Sequence, residues 1–278
     1  MKSRICCFNG GVLRDRFRRF WPLSLSVLIV VLLMPGLTLL SRVQWYAGAS
    51  GDTLTALAAD SILSAGPVMM ILMFGAAFLS AALVFRHLHA LRELQFTLAL
   101  PLKRRDVYVT SWAAGYLLIA LPMALGLLII GLALWAAGLG GACAALLKLL
   151  LAGLAGELLL YAMAVVACLL AGQTFGAVLI YLGMHFAAPV IFLGVSQIGE
   201  TILPGIRLMA SLSEQIEWLT PMQRLLMAVV CRYESVWAAP GAGRLPFDLS
   251  GSVRVAVGFA HPGVLGVCAG LALVILLV

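Results

Sequence analysis

The sequence predicts an all-α protein, a polytopic bundle of membrane-spanning helices. Hydrophobic residues make up 63% of the chain and charged residues only 10%, a balance far from that of soluble globular domains. The apolar residues form runs of roughly 20 positions, the length that a helix needs to cross a bilayer. These runs are continuously apolar and rich in Leu, Ala and Gly, which excludes the alternating pattern of membrane β-strands.

Six apolar runs define the predicted spans, which we place at 20–40, 67–85, 111–137, 143–171, 175–195 and 264–278. A glycine-rich turn at 138–141 joins the third span to the fourth, and a short link at 172–174 joins the fourth to the fifth. The last run has only the 15 positions from 264 to 278, fewer than a full crossing needs. We expect this apparently truncated span to be completed in a longer protein.

The distribution of Lys and Arg predicts the orientation of the spans. Eleven of the 18 basic residues lie in two segments, 1–19 and 86–105. Because cytoplasmic loops carry the excess of basic residues, both segments are predicted to be cytoplasmic, and the two spans between them make these assignments agree. The connection 42–66 and the loop 196–262 are then extracytoplasmic. We expect a multi-pass protein of the cell membrane with its N-terminus in the cytoplasm.

The charge pattern and the motif content argue against a nucleic-acid-binding protein and an enzyme. The net charge of +7 arises from the two basic segments, so we interpret it as a topology signal. The chain has no GxxxxGK[ST] phosphate loop, no HExxH pair and no Asp within any predicted span. Its six cysteines form no CxxC pair and are interpreted as small hydrophobic residues. We therefore predict no catalytic residue, no metal and no bound cofactor.

The segment before the first span has the pattern of an amphipathic helix that lies in the membrane plane. Its apolar residues recur at i, i+4, i+7 and i+8, and they are Leu13, Phe17, Phe20 and Trp21. Arginines fill the remaining surface, as in helices that bind the membrane interface. Pro22 is predicted to mark the bend into the first span. A merely basic, topology-setting tail would not require the aromatic stripe.

A second amphipathic segment occupies the predicted cytoplasmic loop 86–110. Leucines at 88, 91, 94 and 98 trace an apolar stripe, after which Leu100-Pro101 breaks the helix and a basic cluster follows at 103–105. A short helix of this kind docks either on the membrane surface or in the groove of a partner protein. The predicted topology is compatible with both.

Two polar residues lie inside predicted spans. Glu157 carries a carboxylate, which costs on the order of 2.5–3.5 kcal/mol in the middle of a span. Lys148 lies nine positions earlier, on the opposite face of the same helix. Glu157 is therefore expected either to face a polar interior or a dimer seam, or to be protonated and hydrogen-bonded to a neighbouring helix. His185, four residues before Pro189, is expected to be neutral and to satisfy helix polar groups.

Small residues crowd the third and fourth predicted spans. They include Gly126, Gly131, Gly153 and Gly156. Small residues allow membrane helices to approach closely, so we interpret them as packing positions and not as a substrate motif.

Two stretches of the chain resemble a known family. The run HLHALRELQFTLALPLKRRDVYVTSWAAGYLLIALP at 87–122, together with LRDRFRRFWPL at 13–23, resembles the permease subunits of the type-2 ATP-binding-cassette (ABC) transporter family. In that family a Ser or Ala, a Leu-Pro pair and a basic cluster precede the third span, and the similar six-span layout covers essentially this whole chain. The chain departs from the pattern at Gln95, where an acidic residue is more typical, and by ending within the sixth span.

The resemblance implies a membrane permease subunit of an exporter whose cargo is hydrophobic, peptide or drug-like. Its partners would be two cytoplasmic ABC ATPase subunits, and these subunits would bind the ATP. It would also pair with a second copy of itself or with a similar permease, and it would contact membrane lipid. No nucleic acid is expected. The implied ATPase-coupling residues are Leu88, Leu91, Leu94, Phe96, Leu98, Lys103, Arg104 and Arg105. The alternative is a membrane-embedded sensor or self-immunity protein that binds a toxic peptide without transporting it. A secondary transporter is disfavoured because ionisable residues are nearly absent from the spans.

The predicted orientation can be tested by cysteine labelling in intact cells, with the six native cysteines replaced by serine or alanine. A membrane-impermeant maleimide is expected to label single cysteines introduced at 50 and 241 and to spare one at 89, since only the first two lie outside. Labelling at 89 before the cells are permeabilised would show that the predicted orientation is reversed.

Overall fold

The computed structural model describes residues 10–45, 51–86 and 104–202, and these residues form six α-helices and no β-strand. The helices are α1 (Gly10–Trp45), α2 (Gly51–Ser64), α3 (Gly66–Val84), α4 (Arg104–Ala136), α5 (Cys143–Leu170) and α6 (Thr174–Ile202). All except α2 are long and apolar enough to cross a membrane. Each of the first five predicted spans coincides with one of these five helices. The predicted sixth span, 264–278, lies outside the described residues.

Two of the spanning helices extend beyond their apolar runs. Helix α4 begins at Arg104, although the span was predicted to begin at 111. The extension is stabilised because Val107 is buried against the bundle and the Thr110 hydroxyl donates a hydrogen bond to the Asp106 carbonyl, at 2.6 Å. Helix α6 continues to Ile202, into the predicted extracytoplasmic loop 196–262. Hydropathy locates the apolar part of a helix, whereas packing and local hydrogen bonds decide where the helix ends.

The prediction of a loop at 42–66 is wrong for most of its length, because α2 lies there. The helix has 14 residues and is about 21 Å long, too short to cross a bilayer core of about 30 Å. Its residues Ala58 and Ile62, one turn apart, are completely buried. They pack α2 against α1, α5 and the turn between α4 and α5. Helix α2 therefore covers one end of the bundle.

The core consists of two hydrophobic clusters that follow one another along the bundle. The first contains Val31, Ile62, Leu134 and Ala142, which come from the second half of α1, from α2, from the end of α4 and from the turn just before α5. The second contains Phe20, Phe85, Trp112, Cys168 and Ala177, which come from the opposite ends of the helices. Successive spans therefore alternate in direction. The arginine-bearing starts of α1 and α4 lie at the same end of the bundle.

Helix α1 is bent at Phe20, whose φ of −110° and ψ of 16° are not helical. The bend lies where the sequence predicted it, since Pro22 lacks an N–H and its ring crowds the carbonyl one turn earlier. On the N-terminal side of the bend, Phe20 is buried and Phe17 packs against the second cluster. Trp21, by contrast, is 58% exposed. The aromatic residues of the predicted stripe thus divide between the bundle and its surface.

Glycines allow the close helix contacts that the sequence predicted. A Cβ atom at Gly126 of α4 would lie 2.8 Å from Cγ1 of Val31 in α1, and one at Gly153 of α5 would lie 3.1 Å from Sδ of Met123 in α4. The predicted turn at 138–141 is confirmed as well. Gly138 there has a φ of +77°, in the left-handed region that glycine adopts without strain.

The contact at Gly126 can be tested by a leucine substitution. Gly126→Leu is expected to reduce the stability of the bundle by roughly 1–3 kcal/mol, because the larger side chain separates α1 from α4. Gly75→Leu is the matched control: it gains the same helix propensity, and no atom lies within 4 Å of its Cβ position. Thermal unfolding in detergent measures both, and equal midpoints would contradict close packing at Gly126.

Candidate functional site

The predicted coupling residues divide between the described and the undescribed parts of the chain. Leu88, Leu91, Leu94, Phe96, Leu98 and Lys103 lie in 87–103, outside the described residues. Arg104 and Arg105 are exposed on the first turn of α4. Positive charge in a first turn opposes the helix dipole, so these arginines do not stabilise their own helix. Their position suits interaction with another molecule or with the lipid surface.

The most unusual chemistry of the described residues lies where α3, α4 and α5 meet. On α5, Glu157 and Tyr161 are one turn apart, and both are completely buried. Along α5, Glu157 falls between Ala152 of the first cluster and Leu159 of the second. The carboxyl group therefore lies at the boundary between the two clusters, deep within the bundle.

Glycine at position 115 brings α4 against this face of α5. A Cβ atom at Gly115 would overlap the hydroxyl group of Tyr161 and would lie 2.7 Å from its Cζ. Two hydrogen bonds hold the junction: the Ser80 hydroxyl of α3 donates to the Gly115 carbonyl at 2.8 Å, and the Tyr116 hydroxyl donates to the Leu154 carbonyl at 3.2 Å. Three helices are thus joined around Glu157.

Several polar atoms at this junction have no hydrogen-bond partner among the described residues. They are both carboxyl oxygens of Glu157 and the hydroxyl oxygen of Tyr161, and Oγ of Ser111, one turn before Gly115 on α4, is unpaired as well. More than nine in ten buried polar groups in proteins are paired, and each unpaired group costs about 1–3 kcal/mol. The structure places Glu157 inside the bundle and gives it no hydrogen bond to a described neighbouring helix. A buried group without a partner calls for an explanation, such as a bound molecule or a functional role.

Aromatic rings line one side of the same junction. Trp112 stacks on Tyr116 with ring centroids 6.0 Å apart, and it meets Tyr161 edge to face at 5.6 Å. The Tyr116 and Tyr161 rings are 6.3 Å apart, and Glu157 interacts electrostatically with both tyrosines. The sequence analysis missed these rings, although Tyr161 follows Glu157 by four residues and so shares its helix face. We call Trp112, Tyr116, Glu157 and Tyr161 the Glu157 cluster.

His185 lies in a separate aromatic group between α3 and α6. Its ring meets those of Phe74 and Tyr181 at centroid distances of 4.9 and 4.8 Å, and neither ring nitrogen has a hydrogen-bond partner among the described residues. The expectation that it satisfies helix polar groups is therefore not met among the described residues. Pro189 leaves the backbone carbonyl of residue 185 without its helical hydrogen bond, and this carbonyl points towards the helix C-terminus. The His185 side chain leans towards the N-terminus, as helical side chains do, and so points away from that carbonyl.

Metal-binding chemistry is not found in the described part of the chain. No group of three or more His, Cys, Asp or Glu side chains lies together in 10–45, 51–86 and 104–202. Of the cysteines in these ranges, Cys143 and Cys168 are both free thiols.

Comparisons of this chain with protein-family models, with curated proteins and with solved structures give no match. Its function has to be inferred from the chemistry of its own residues.

If the Glu157 cluster is a functional site, removal of its unpaired polar groups should stabilise the protein. Glu157→Met and Tyr161→Phe are each expected to raise the free energy of unfolding by about 1–3 kcal/mol, because each deletes buried polar atoms without partners. Tyr181→Phe is the matched control. It deletes a hydroxyl that donates to the Phe74 carbonyl at 3.1 Å and should lower the stability by about 1 kcal/mol.

Thermal or denaturant unfolding of the detergent-solubilised protein measures the three variants. If Glu157→Met and Tyr161→Phe lowered the free energy of unfolding as much as Tyr181→Phe does, the cluster would serve stability instead.

Proposed function

We propose that this chain is the membrane-spanning permease subunit of an ABC transporter, an exporter of a hydrophobic, peptide or drug-like substrate. The observation that carries the proposal is the segment 87–122, where an apolar stripe, a Leu-Pro pair and a basic cluster lead into the third span and resemble the type-2 permeases. The sequence holds no phosphate loop of its own, so ATP would be bound by separate cytoplasmic subunits.

The arrangement of the helix ends supports a docking surface on one side of the membrane. The starts of α1 and α4 share one end of the bundle, which brings the arginines of 14–19 and of 104–105 to the same side. We infer that this end is cytoplasmic, with the N-terminal part of α1 lying along the inner leaflet of the cell membrane. The partner ATPase would meet the protein there.

The rigidity of α4 supports a mechanical role for the chain. One uninterrupted helix runs from Arg104 to Ala136, so Arg105 and Gly115 are about 15 Å apart along a single rod. A push on the first turn of α4 would therefore move the residues that contact Tyr161. The Ser24 hydroxyl also donates to the Leu118 carbonyl, at 2.7 Å, and this bond would pass the displacement to α1.

Helix α6 supports pairing with a second permease. Its large apolar residues Phe186, Val190 and Ile191 are exposed, and so offer an apolar surface to lipid or to another membrane helix. A homodimer or a heterodimer with a similar permease would cover such a surface.

The coupling role of the segment at 87–103 can be tested by copurification of the ATPase with the detergent-solubilised chain from its native host. The double variant Leu91→Asp/Leu94→Asp is expected to lose the ATPase and its stimulated hydrolysis while still inserting in the membrane, because charge in a docked apolar stripe is desolvated without a partner. The matched control is Gly172→Asp/Gln173→Asp, which places two charges on the other predicted cytoplasmic link, where both residues are exposed.

The control variant is expected to retain the ATPase at wild-type stoichiometry. If the Leu91/Leu94 variant also retained it, the segment would be a helix resting on the inner leaflet. If the wild-type chain brought no ATPase with it, a sensor or self-immunity protein would be the better description.

A further inference from the structure

We propose that the Glu157 cluster is a binding site for a lipophilic organic cation. Only one step, that this cation is the transported cargo, rests on the proposed function. Binding itself depends on the charge, the rings and the accessibility of the cluster.

The charge requirement follows from the carboxyl group of Glu157. Its two oxygens are buried and accept no hydrogen bond from any described residue, so no arginine, lysine or histidine of the described ranges neutralises it. A carboxylate in an apolar interior is stable only with a positive partner. The unpaired hydroxyl oxygen of Tyr161, one turn away on α5, adds a further acceptor. Without a cation the buried carboxyl group keeps its proton, and a cation that binds beside it would replace that proton, which leaves to solvent.

The rings indicate which kind of cation fits. Trp112, Tyr116 and Tyr161 lie with centroids 5.6 to 6.3 Å apart, and their faces attract organic ammonium or phosphonium groups by cation–π interaction. A divalent metal ion would instead need several carboxylate or imidazole ligands, and no such group is found in the described residues. The combination of one carboxylate with three rings favours a large, weakly hydrated organic cation.

The accessibility of the cluster indicates that the ligand is lipophilic. Glu157 and Tyr161 are completely buried, whereas Tyr116 is only half-buried and so reaches the surface of the bundle. The outer surface of α4 and α5 is apolar, with Leu121 of α4 and Leu151 of α5 exposed at 52% and 57%. A ligand dissolved in the bilayer would enter between α4 and α5 past Tyr116. The single hydrogen bond from Tyr116 to the Leu154 carbonyl, at 3.2 Å, closes this route in the structure described.

The probe that tests the site is tetraphenylphosphonium, with tetraphenylborate as an anion of the same shape. Equilibrium dialysis of the purified full chain in lipid nanodiscs should give saturable binding of the phosphonium ion and none of the borate. Glu157→Gln is expected to weaken phosphonium binding by roughly a hundredfold, because the bound charge loses its buried partner. Glu157→Asp keeps the charge and should bind within about tenfold of wild type.

A second pair of variants tests the ring independently of the charge. Tyr116→Leu removes the aromatic face and is expected to weaken binding about fivefold. Tyr116→Phe keeps the ring and should retain the affinity, although it loses the hydrogen bond to the Leu154 carbonyl. Size-exclusion profiles of each variant establish that it is folded, and the Tyr116 pair decides the matter if Glu157→Gln does not fold.

Equal phosphonium affinity in wild type and Glu157→Gln would overturn the proposal, as would equal affinity in Tyr116→Leu and Tyr116→Phe. Equal uptake of phosphonium and borate would overturn it too, since that shows partition into lipid. The assay contains no ATPase, so its outcome is separate from the copurification experiment. A chain that retains an ATPase but binds no cation would be a permease for another class of cargo.

Discussion

The contact between Gly115 and Tyr161 is the constraint on which the central part of the bundle depends. A glycine in α4 is required because the tyrosine of α5 occupies the space of its side chain, and the Gly115 carbonyl accepts the hydrogen bond from Ser80 of α3. Helices in an apolar solvent gain little from hydrophobic burial against one another, so close van der Waals packing and such hydrogen bonds hold them together. Glu157, one turn before Tyr161 on α5, is completely buried.

The polar atoms at this junction are better explained by function than by stability. Tyr181 shows how a buried hydroxyl is normally accommodated, since it reaches the carbonyl of Phe74. The Tyr161 hydroxyl finds no such acceptor among the described residues, and Glu157 finds no donor. Unpaired groups of this kind reduce stability and persist where activity needs them. An apolar residue at 157 would pack against Tyr161 without that penalty, and its absence from the sequence favours a ligand.

Much of the fold is predictable from sequence because water and lipid separate residues so strongly. Length and apolarity located the five spanning helices, Pro22 located the bend at Phe20, and the glycines located close contacts at Gly126. Helix α2 escaped prediction because it is short and because only Ile62 is large among its described buried residues, Ala58, Ala59, Ser61 and Ile62. The Glu157 cluster was predicted only as a single carboxylate. Two of its rings, Trp112 and Tyr116, come from α4, and no local pattern reveals which residues of one helix meet those of another.

The position of α4 connects the proposed energy input with the proposed ligand site. Its exposed first turn carries Arg104 and Arg105, and one face of its next two turns carries Ser111 and Gly115. A displacement of α4 along its axis by even part of a turn would separate Gly115 from Tyr161, because a glycine-sized gap fits the ring at one register only. The Tyr116 hydroxyl would then lose the Leu154 carbonyl, and the route between α4 and α5 would open. Helix α1 would move with α4 in such a shift, because the Ser24 hydroxyl holds the Leu118 carbonyl and Val31 packs against Gly126.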